Sequence, residues 1–276
     1  MRITTNITIA ALLFSSAHAA LPDHALTCAA SYERRPDRAA VEEAIRCYHA
    51  VDAAQLAAAT PTQRFNHYEA LLSTLTYAVT HYNGANNGAA QRAWANHGLS
   101  VSTTLDGETA LTNPQRGAAK FWLASFITFD VALRDGLPIA EEPRFVLRYP
   151  SNTMGALEHI RSLFMRAAEL NRTYLGCGPY RNLGIIHLSR PEFFFPGSAD
   201  LAVQALLDTY SCDPWFSLNT IYLARALRRA GRAQEAVPLL QDFITAATTE
   251  PQRFGASRVI DTLEDVAKAR VLLAPC

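Results

Sequence analysis

The most constraining feature of this sequence is a segment that recurs after 34 residues. Six residues in a twelve-residue window are identical in the two copies: Gly197, Ala199, Ala202, Val203, Leu206 and Asp208, then Gly231, Ala233, Ala236, Val237, Leu240 and Asp242. A 34-residue period is that of tetratricopeptide helix pairs. The second copy also places Leu223-Ala224 and Leu227 in a first helix before its glycine turn. The repeat therefore predicts antiparallel helix pairs over about residues 179–246, and it leaves the ligand open.

Helical patterns also dominate the chain outside the repeat. The stretch Thr60-Pro61-Thr62-Gln63 is a helix start with a capping box and a proline at the first helical position. A second start at Asn113-Pro114 opens a helix that is apolar on most sides between Ala118 and Leu133, so we expect it to be buried. No alternating strand pattern of useful length occurs. The expected fold is all-α, a tetratricopeptide-like bundle or solenoid of antiparallel helix pairs.

The chain length and composition suit one helical domain. With 49% apolar residues among 276, the chain has enough apolar side chains for a packed core, and disorder is not expected. We expect one domain over residues 20–276; a boundary near residues 136–150 is an alternative, but helix pairs on both sides are expected to share a core. A terminal helix from about Ser257 is expected to cover the end of the stack. Its expected inward residues are Val259, Leu263, Val266 and Leu273.

Residues 1–19 have the pattern of a secretory signal peptide. Arg2 is the positive start, Ile7–Phe14 is the apolar core, and Ala17-His18-Ala19 is a small-residue cleavage site. The alternative is that Ile7–Phe14 is a buried first helix. Lipidation at Cys28 is disfavoured because Leu26-Thr27 stand where a small residue is needed. We expect a free periplasmic protein cleaved near Ala19, with peripheral contact to a membrane left open.

Export permits disulfide bonds between the five cysteines. If the two helices of the first repeat copy pack antiparallel, Cys177 at the start of one lies beside Cys212 at the end of the other. Cys28 and Cys47 form a second candidate pair, and Cys276 is left over. Two disulfides are therefore predicted.

Aromatic residues are the candidates for a ligand-binding site. Trp122 and Phe126 lie on the predicted buried helix and either line a cavity or pack in an ordinary core. In the first repeat copy, Pro191–Pro196 replaces a helical segment because proline cannot continue a helix. Phe193, Phe194 and Phe195 within it either close a pocket, face a partner or fold inward to fill space. Trp215 is expected where it can contact the same region.

Charge and motif content exclude several function classes. Basic and acidic residues balance at 25 each with no basic stripe, which argues against nucleic acid and anionic membrane surfaces as partners. No zinc-protease, nucleophile-elbow, phosphate-loop or calcium-loop motif occurs, and the histidines are dispersed. We expect no catalytic residues, no metal site and no cofactor.

The chain resembles the T-component (TatT-like) family associated with tripartite ATP-independent periplasmic (TRAP) transporters over about residues 90–246. The resemblance is carried by Gly178-Pro179, Arg181, Leu183-Gly184, Pro191, Gly197, Ala202, Leu206, Asn219, Leu223-Ala224, Gly231 and Ala236, and upstream by Trp94, Gly98, Gly117, Phe121-Trp122 and Ala124. It implies a periplasmic, tetratricopeptide-like protein that works without catalysis beside a solute-binding partner. Similar helical periplasmic proteins serve bacterial lipid trafficking, including sterol transport.

Two functions are therefore expected from the sequence. The first is a periplasmic transport component that binds a hydrophobic small molecule, a lipid or a sterol, and works with a solute-binding protein. The alternative is a protein-interaction scaffold that docks a TRAP-type solute-binding protein and has no ligand of its own. Assembly into a homo-oligomer is left open.

Overall fold

The computed structural model describes residues 24–35, 37–51, 53–82, 88–134, 152–189, 197–255 and 259–274. Within these ranges the chain forms twelve α-helices and no β-strand, so the all-α prediction is confirmed. The chain divides into two compact units, with the boundary between residues 140 and 141, and each unit is described by itself. The expected signal peptide lies outside the described residues. A single core for residues 20–276 stays a prediction.

The first unit consists, in the described residues, of six helices. They are α1 (His24–Tyr32), α2 (Arg38–His49), α3 (Ala53–Ala58), α4 (Pro61–His81), α5 (Gly88–Asp106) and α6 (Asn113–Arg134). The capping box before α4 is confirmed: Thr60 donates its backbone N–H to Gln63 Oε1 at 2.8 Å, and Gln63 N–H donates to Thr60 Oγ1 at 3.3 Å. The same spacing caps α6, where Thr112 N–H donates to Gln115 Oε1 at 3.0 Å.

Helices α1 and α2 form a cross-linked pair, which we call the N-terminal hairpin. The predicted Cys28–Cys47 disulfide is present, with the two Cα atoms 5.3 Å apart. An ion pair also connects Arg34, in the turn after α1, to Glu43 of α2. Asp37 starts α2 by accepting the N–H of Ala39 at 3.0 Å. These links tie both helices into one body.

Helices α5 and α6 pack closely because one residue of α5 lacks a side chain. A Cβ atom on Gly98 would lie 2.0 Å from Phe126 Cε1, so the phenylalanine ring occupies the space beside the glycine. Phe126 is fully buried there. An ion pair between Lys120 and Asp106 joins the same two helices at 2.7 Å. The prediction that α6 is buried on most sides is confirmed at this contact.

The second unit contains the repeat. Its helices are α7 (Asn152–Leu170), α8 (Tyr174–Ser189), α9 (Ser198–Cys212), α10 (Ser217–Arg229) and α11 (Ala233–Thr249), followed by a 3₁₀ turn (Pro251–Phe254) and α12 (Val259–Leu273). Helix α8 packs on α9 and α10 packs on α11, as the repeat predicts. Gly197 and Gly231 precede the second helix of each pair with φ of 77° and 74°, a left-handed conformation that favours glycine. The predicted Cys177–Cys212 disulfide joins α8 to α9, with Cα atoms 6.4 Å apart.

The predicted inner face of the terminal helix is wrong in one respect. Leu263 was expected to point inward, but its side chain is 50% exposed. Val266 is buried as expected, and it shares its face with the polar Thr262 and Asp265 and with Ala269. The structure buries polar Asp265 on this face because Ser217 of α10 supplies it with a hydrogen bond. The apolar pattern of the sequence therefore assigned Leu263 to the wrong face of the helix.

Candidate functional site

The two aromatic candidates of the first unit are core residues. Trp122 and Phe126 are both buried, with ring centroids 6.4 Å apart. Phe126 meets the ring of Phe129 edge-on at 5.5 Å and fills the space beside Gly98. Trp122 meets Phe121 edge-on at 5.3 Å. Of the two alternatives drawn from the sequence, this packing favours an ordinary core over an open cavity.

The remaining aromatic candidates are Phe193, Phe194, Phe195 and Trp215. Phe193, Phe194 and Phe195 lie outside the described residues, so their placement stays a prediction. Trp215 belongs to the second unit, in the turn before α10, and is 39% exposed. The Arg253 guanidinium lies 4.3 Å above its ring, and Phe254 meets it edge-on at 5.7 Å. Trp215 is thus an exposed aromatic held in a fixed orientation.

A buried polar cluster lies at the centre of the second unit. Arg181 of α8 and Asn219 of α10 are both buried, and Arg181 donates to Asn219 Oδ1 at 2.8 Å. The Asn219 amide in turn donates to the carbonyls of Gly176, Thr209 and Asp213, at 3.0, 3.3 and 2.8 Å. One asparagine therefore connects the start of α8, the end of α9 and the turn before α10.

This cluster stabilises an unusual backbone. Leu175, Gly176 and Cys177 have φ of 46°, 60° and 62°, and left-handed conformations are costly for residues with a side chain. Arg181 donates to the carbonyls of Leu175 and Gly176 at 3.2 and 3.1 Å, and the disulfide fixes Cys177. A Cβ atom on Gly176 would lie 2.2 Å from the ring of Phe216. The cluster's role is therefore to hold the first repeat pair against the second.

Sequence reasoning noted Arg181 and Asn219 only as residues that carry a family resemblance. It gave them no partner, because they are 38 residues apart and their contact depends on which faces of α8 and α10 meet. The available signal was a polar residue among the apolar positions of each helix, since buried polar side chains need hydrogen-bond partners. That signal predicts burial with a partner and does not identify the partner.

A second buried polar group links α10 to α12. Ser217 Oγ donates to Asp265 Oδ2 at 2.5 Å, and Lys268 Nζ lies 2.9 Å from Asp265 Oδ1. Burial raises the pKa of the Asp265 carboxyl, whereas Lys268 and the Ser217 hydrogen bond act in the opposite direction. Ser217 and Asp265 are both buried from solvent. This group is positioned to join helices, and sequence reasoning missed it.

The second unit also exposes large apolar side chains. Five of them lie on the second helix of each repeat pair and on the terminal helix: Leu201 and Leu207 on α9, Val237 on α11, and Leu263 and Val271 on α12. Met165 on α7 and Leu175 on α8 are exposed as well. The exposed fractions of Leu201 and Val271 reach 55% and 74%. A depression of about 310 Å³ lies between the end of α7 and the end of α9. It is open to solvent and is lined by Arg172, Thr173, Asp208, Ser211 and Cys212.

Among the described residues, no group of three or more histidine, cysteine or acidic side chains is arranged to hold a metal ion. None of the helices in the described ranges combines the length and the hydropathy needed to cross a membrane. The sequence matches no model of a known protein family and no curated protein.

Proposed function

We propose that this chain is an exported helical-repeat protein that works by docking a partner protein, and that the partner is a TRAP-type periplasmic solute-binding protein. The observation that carries the proposal is the set of exposed apolar side chains on α9, α11 and α12 of the repeat unit. Helical repeats present extended surfaces of this kind to other proteins. The choice of partner rests on the family resemblance of the sequence.

The two disulfides are compatible with export, because they form and persist in oxidising compartments. Each disulfide cross-links two helices within one unit: Cys28–Cys47 in the first unit and Cys177–Cys212 in the second. A rigid unit loses little conformational freedom on docking, so more of the contact energy is available for affinity. Secretion into the periplasm is part of the proposal.

The other function expected from the sequence is binding of a lipid or sterol, and it needs an open apolar cavity. Trp122 and Phe126 are instead packed against other core residues of the first unit. The depression in the second unit is open to solvent and has charged Arg172 and Asp208 in its lining, so it does not enclose a sterol or an acyl chain. The docking function is therefore the better supported of the two. Lipid binding is retained as an outcome of the test.

The test is a binding measurement with purified components. The full exported chain is immobilised and titrated with a TRAP-type solute-binding protein, and Leu201→Glu is compared with Ser211→Glu. Both substitutions add one negative charge at an exposed position of α9, but only the first removes an exposed apolar side chain. We expect Leu201→Glu to weaken binding at least about tenfold, the loss of roughly 1.4 kcal/mol, and Ser211→Glu to change it little.

Native mass spectrometry of the same preparation separates the two functions. A complex with the solute-binding protein and no bound lipid supports docking. Recovery of a stoichiometric lipid without a protein complex would refute docking and support the carrier. Equal loss of affinity in Leu201→Glu and Ser211→Glu would show that the apolar surface of α9 is not the docking site.

A further inference from the structure

Two ring contacts that involve histidine lie at the C-terminal end of α2, one with α5 and one with α4. His49, the last residue of α2, stacks on His97 of α5 with ring centroids 3.8 Å apart and planes 17° from parallel. His49 Nε2 lies 3.0 Å from His97 Nδ1. His67 of α4 is buried and meets the rings of Tyr48 and Tyr68 edge-on at 5.8 and 5.6 Å. The sequence did not reveal this group, because its members are far apart along the chain.

These histidines lie where the N-terminal hairpin rests on the rest of the first unit. Tyr48 and His67 join the end of α2 to the start of α4, whereas Arg38 at the other end of α2 lies 5.8 Å from the Tyr82 ring and 5.5 Å from the Trp94 ring. The hairpin also buries an apolar face that includes Val41, Ala44 and Ile45. Aromatic contacts therefore lie at both ends of α2, on either side of its buried apolar face.

The surroundings of His67 and His97 disfavour a proton on either ring. Burial lowers the pKa of His67 and of His97 to about 4, and His49 adds to the shift in both. Helix α3 carries no titratable side chain. Tyr48 on α2 interacts with Glu33, which lies in the turn after α1, and Tyr68 on α4 interacts with Arg64 and Glu108. The other charged groups on these helices include Arg46 on α2 and the Asp106–Lys120 pair of α5 and α6. Glu108 and Asp106 are both held in ion pairs.

We propose that His49, His67 and His97 form an acid-sensitive latch that holds the N-terminal hairpin on α4 and α5. Neutral imidazole rings can stack face to face, as His49 and His97 do. A proton on buried His67, or on His97, places a positive charge where the adjacent carboxylates are already paired. Acid therefore favours a state in which the hairpin has moved away and the rings are hydrated.

The Cys28–Cys47 disulfide determines how the N-terminal hairpin separates from α4 and α5. Because the cross-link joins α1 to α2 two residues before His49, the two helices move as one body and keep their mutual packing. Undocking then exposes the apolar faces of α2 and α4 without unfolding α6. The latch thereby couples external pH to exposure of an apolar surface.

The size of the effect follows from the two protonation equilibria of His67. If its pKa is about 4 in the docked state and 6.5 in the undocked state, the undocked population rises about 30-fold between pH 8 and pH 5. His97 adds to this factor, although its half-exposed ring makes its share smaller. A 30-fold change is well within the range of hydrogen exchange.

The test is hydrogen exchange with mass spectrometry on the full oxidised chain between pH 8 and pH 5, with rates corrected for the intrinsic effect of pH. We expect peptides of α1 and α2 to lose protection about 30-fold, while peptides of α6 keep theirs. His67→Phe keeps an aromatic ring between the tyrosines and is expected to remove most of the response. His159→Gln, at an exposed position of α7 in the other unit, is the matched control and is expected to change nothing.

Each alternative result decides against the latch. Equal loss of protection in α6 and in the hairpin would mean global acid unfolding. An unchanged response in His67→Phe would mean that other groups take up the protons. If His67→Phe does not fold, His97→Gln at its half-buried position replaces it in the same comparison, and an unchanged response there would overturn the proposal.

Discussion

The buried amide of Asn219 offers the sharpest test of what holds the repeat unit together. Its side chain is fully buried, it accepts a hydrogen bond from Arg181, and it donates to carbonyls of three different segments. We expect Asn219→Ala to remove these bonds and to leave the buried guanidinium without this acceptor. Two neutral donor hydrogens contribute about 1 kcal/mol each and the charge-assisted bond about 1.5–3 kcal/mol. The expected loss in the free energy of unfolding is about 3.5–5 kcal/mol.

The assay is urea unfolding of the oxidised protein, followed by far-UV circular dichroism. Asn182→Ala is the matched control, because Asn182 is half-buried on α8 and donates one local bond, to the Gly178 carbonyl at 3.1 Å. We expect this control to lose less than about 1 kcal/mol. If Asn219→Ala loses no more than Asn182→Ala, the cluster does not have the role assigned to it.

A second substitution at Asn219 separates its two roles. Asn219→Asp keeps an acceptor for Arg181 but replaces the donating amide with a carboxylate facing three carbonyl oxygens. We expect it to destabilise the protein by at least about 2 kcal/mol, despite the new opposite charge beside Arg181, since buried acceptors then lack donors. Wild-type stability in Asn219→Asp would show that pairing with Arg181 is all that matters.

Three further predictions concern packing, the disulfide and pH. Gly98→Ala should lower the free energy of unfolding by about 1–3 kcal/mol, because the added Cβ atom would overlap Phe126. Gly155→Ala, which has open space around it, should raise the free energy of unfolding by up to about 1 kcal/mol. Equal midpoints of the two variants in thermal unfolding would contradict this prediction. Cys212→Ser should cost about 3–4 kcal/mol in urea unfolding through the lost cross-link, and an unchanged midpoint would refute it. The pKa of His67 is lower when folded, at about 4, than its ordinary 6.5, so its contribution to stability is intact above pH 6.5 and up to about 3 kcal/mol is lost as the pH falls to 4. Urea unfolding at pH 7.5 and 4.5 should show a smaller loss in His67→Phe, and equal losses would contradict the assignment.

Features that depend on a few neighbouring residues could be read from the sequence. The capping box at Thr60 and the glycine turns at Gly197 and Gly231 need only local backbone geometry, and all three are present. The Cys177–Cys212 pair followed from one assumption, that successive helices pack antiparallel. These signals, together with the 34-residue repeat, were sufficient for the all-α class and for the helix pairs.

The polar contacts were decided only by the tertiary structure. Arg181 meets Asn219 across 38 residues, Ser217 meets Asp265 across 48, and His49 stacks on His97 across 48. Such pairs depend on the rotation of each helix about its axis, which is fixed by the packing of all its neighbours together. The same dependence explains why Leu263 was assigned to the wrong face. Sequence periodicity determined which segments are helices, and packing determined which polar side chains those helices bring together.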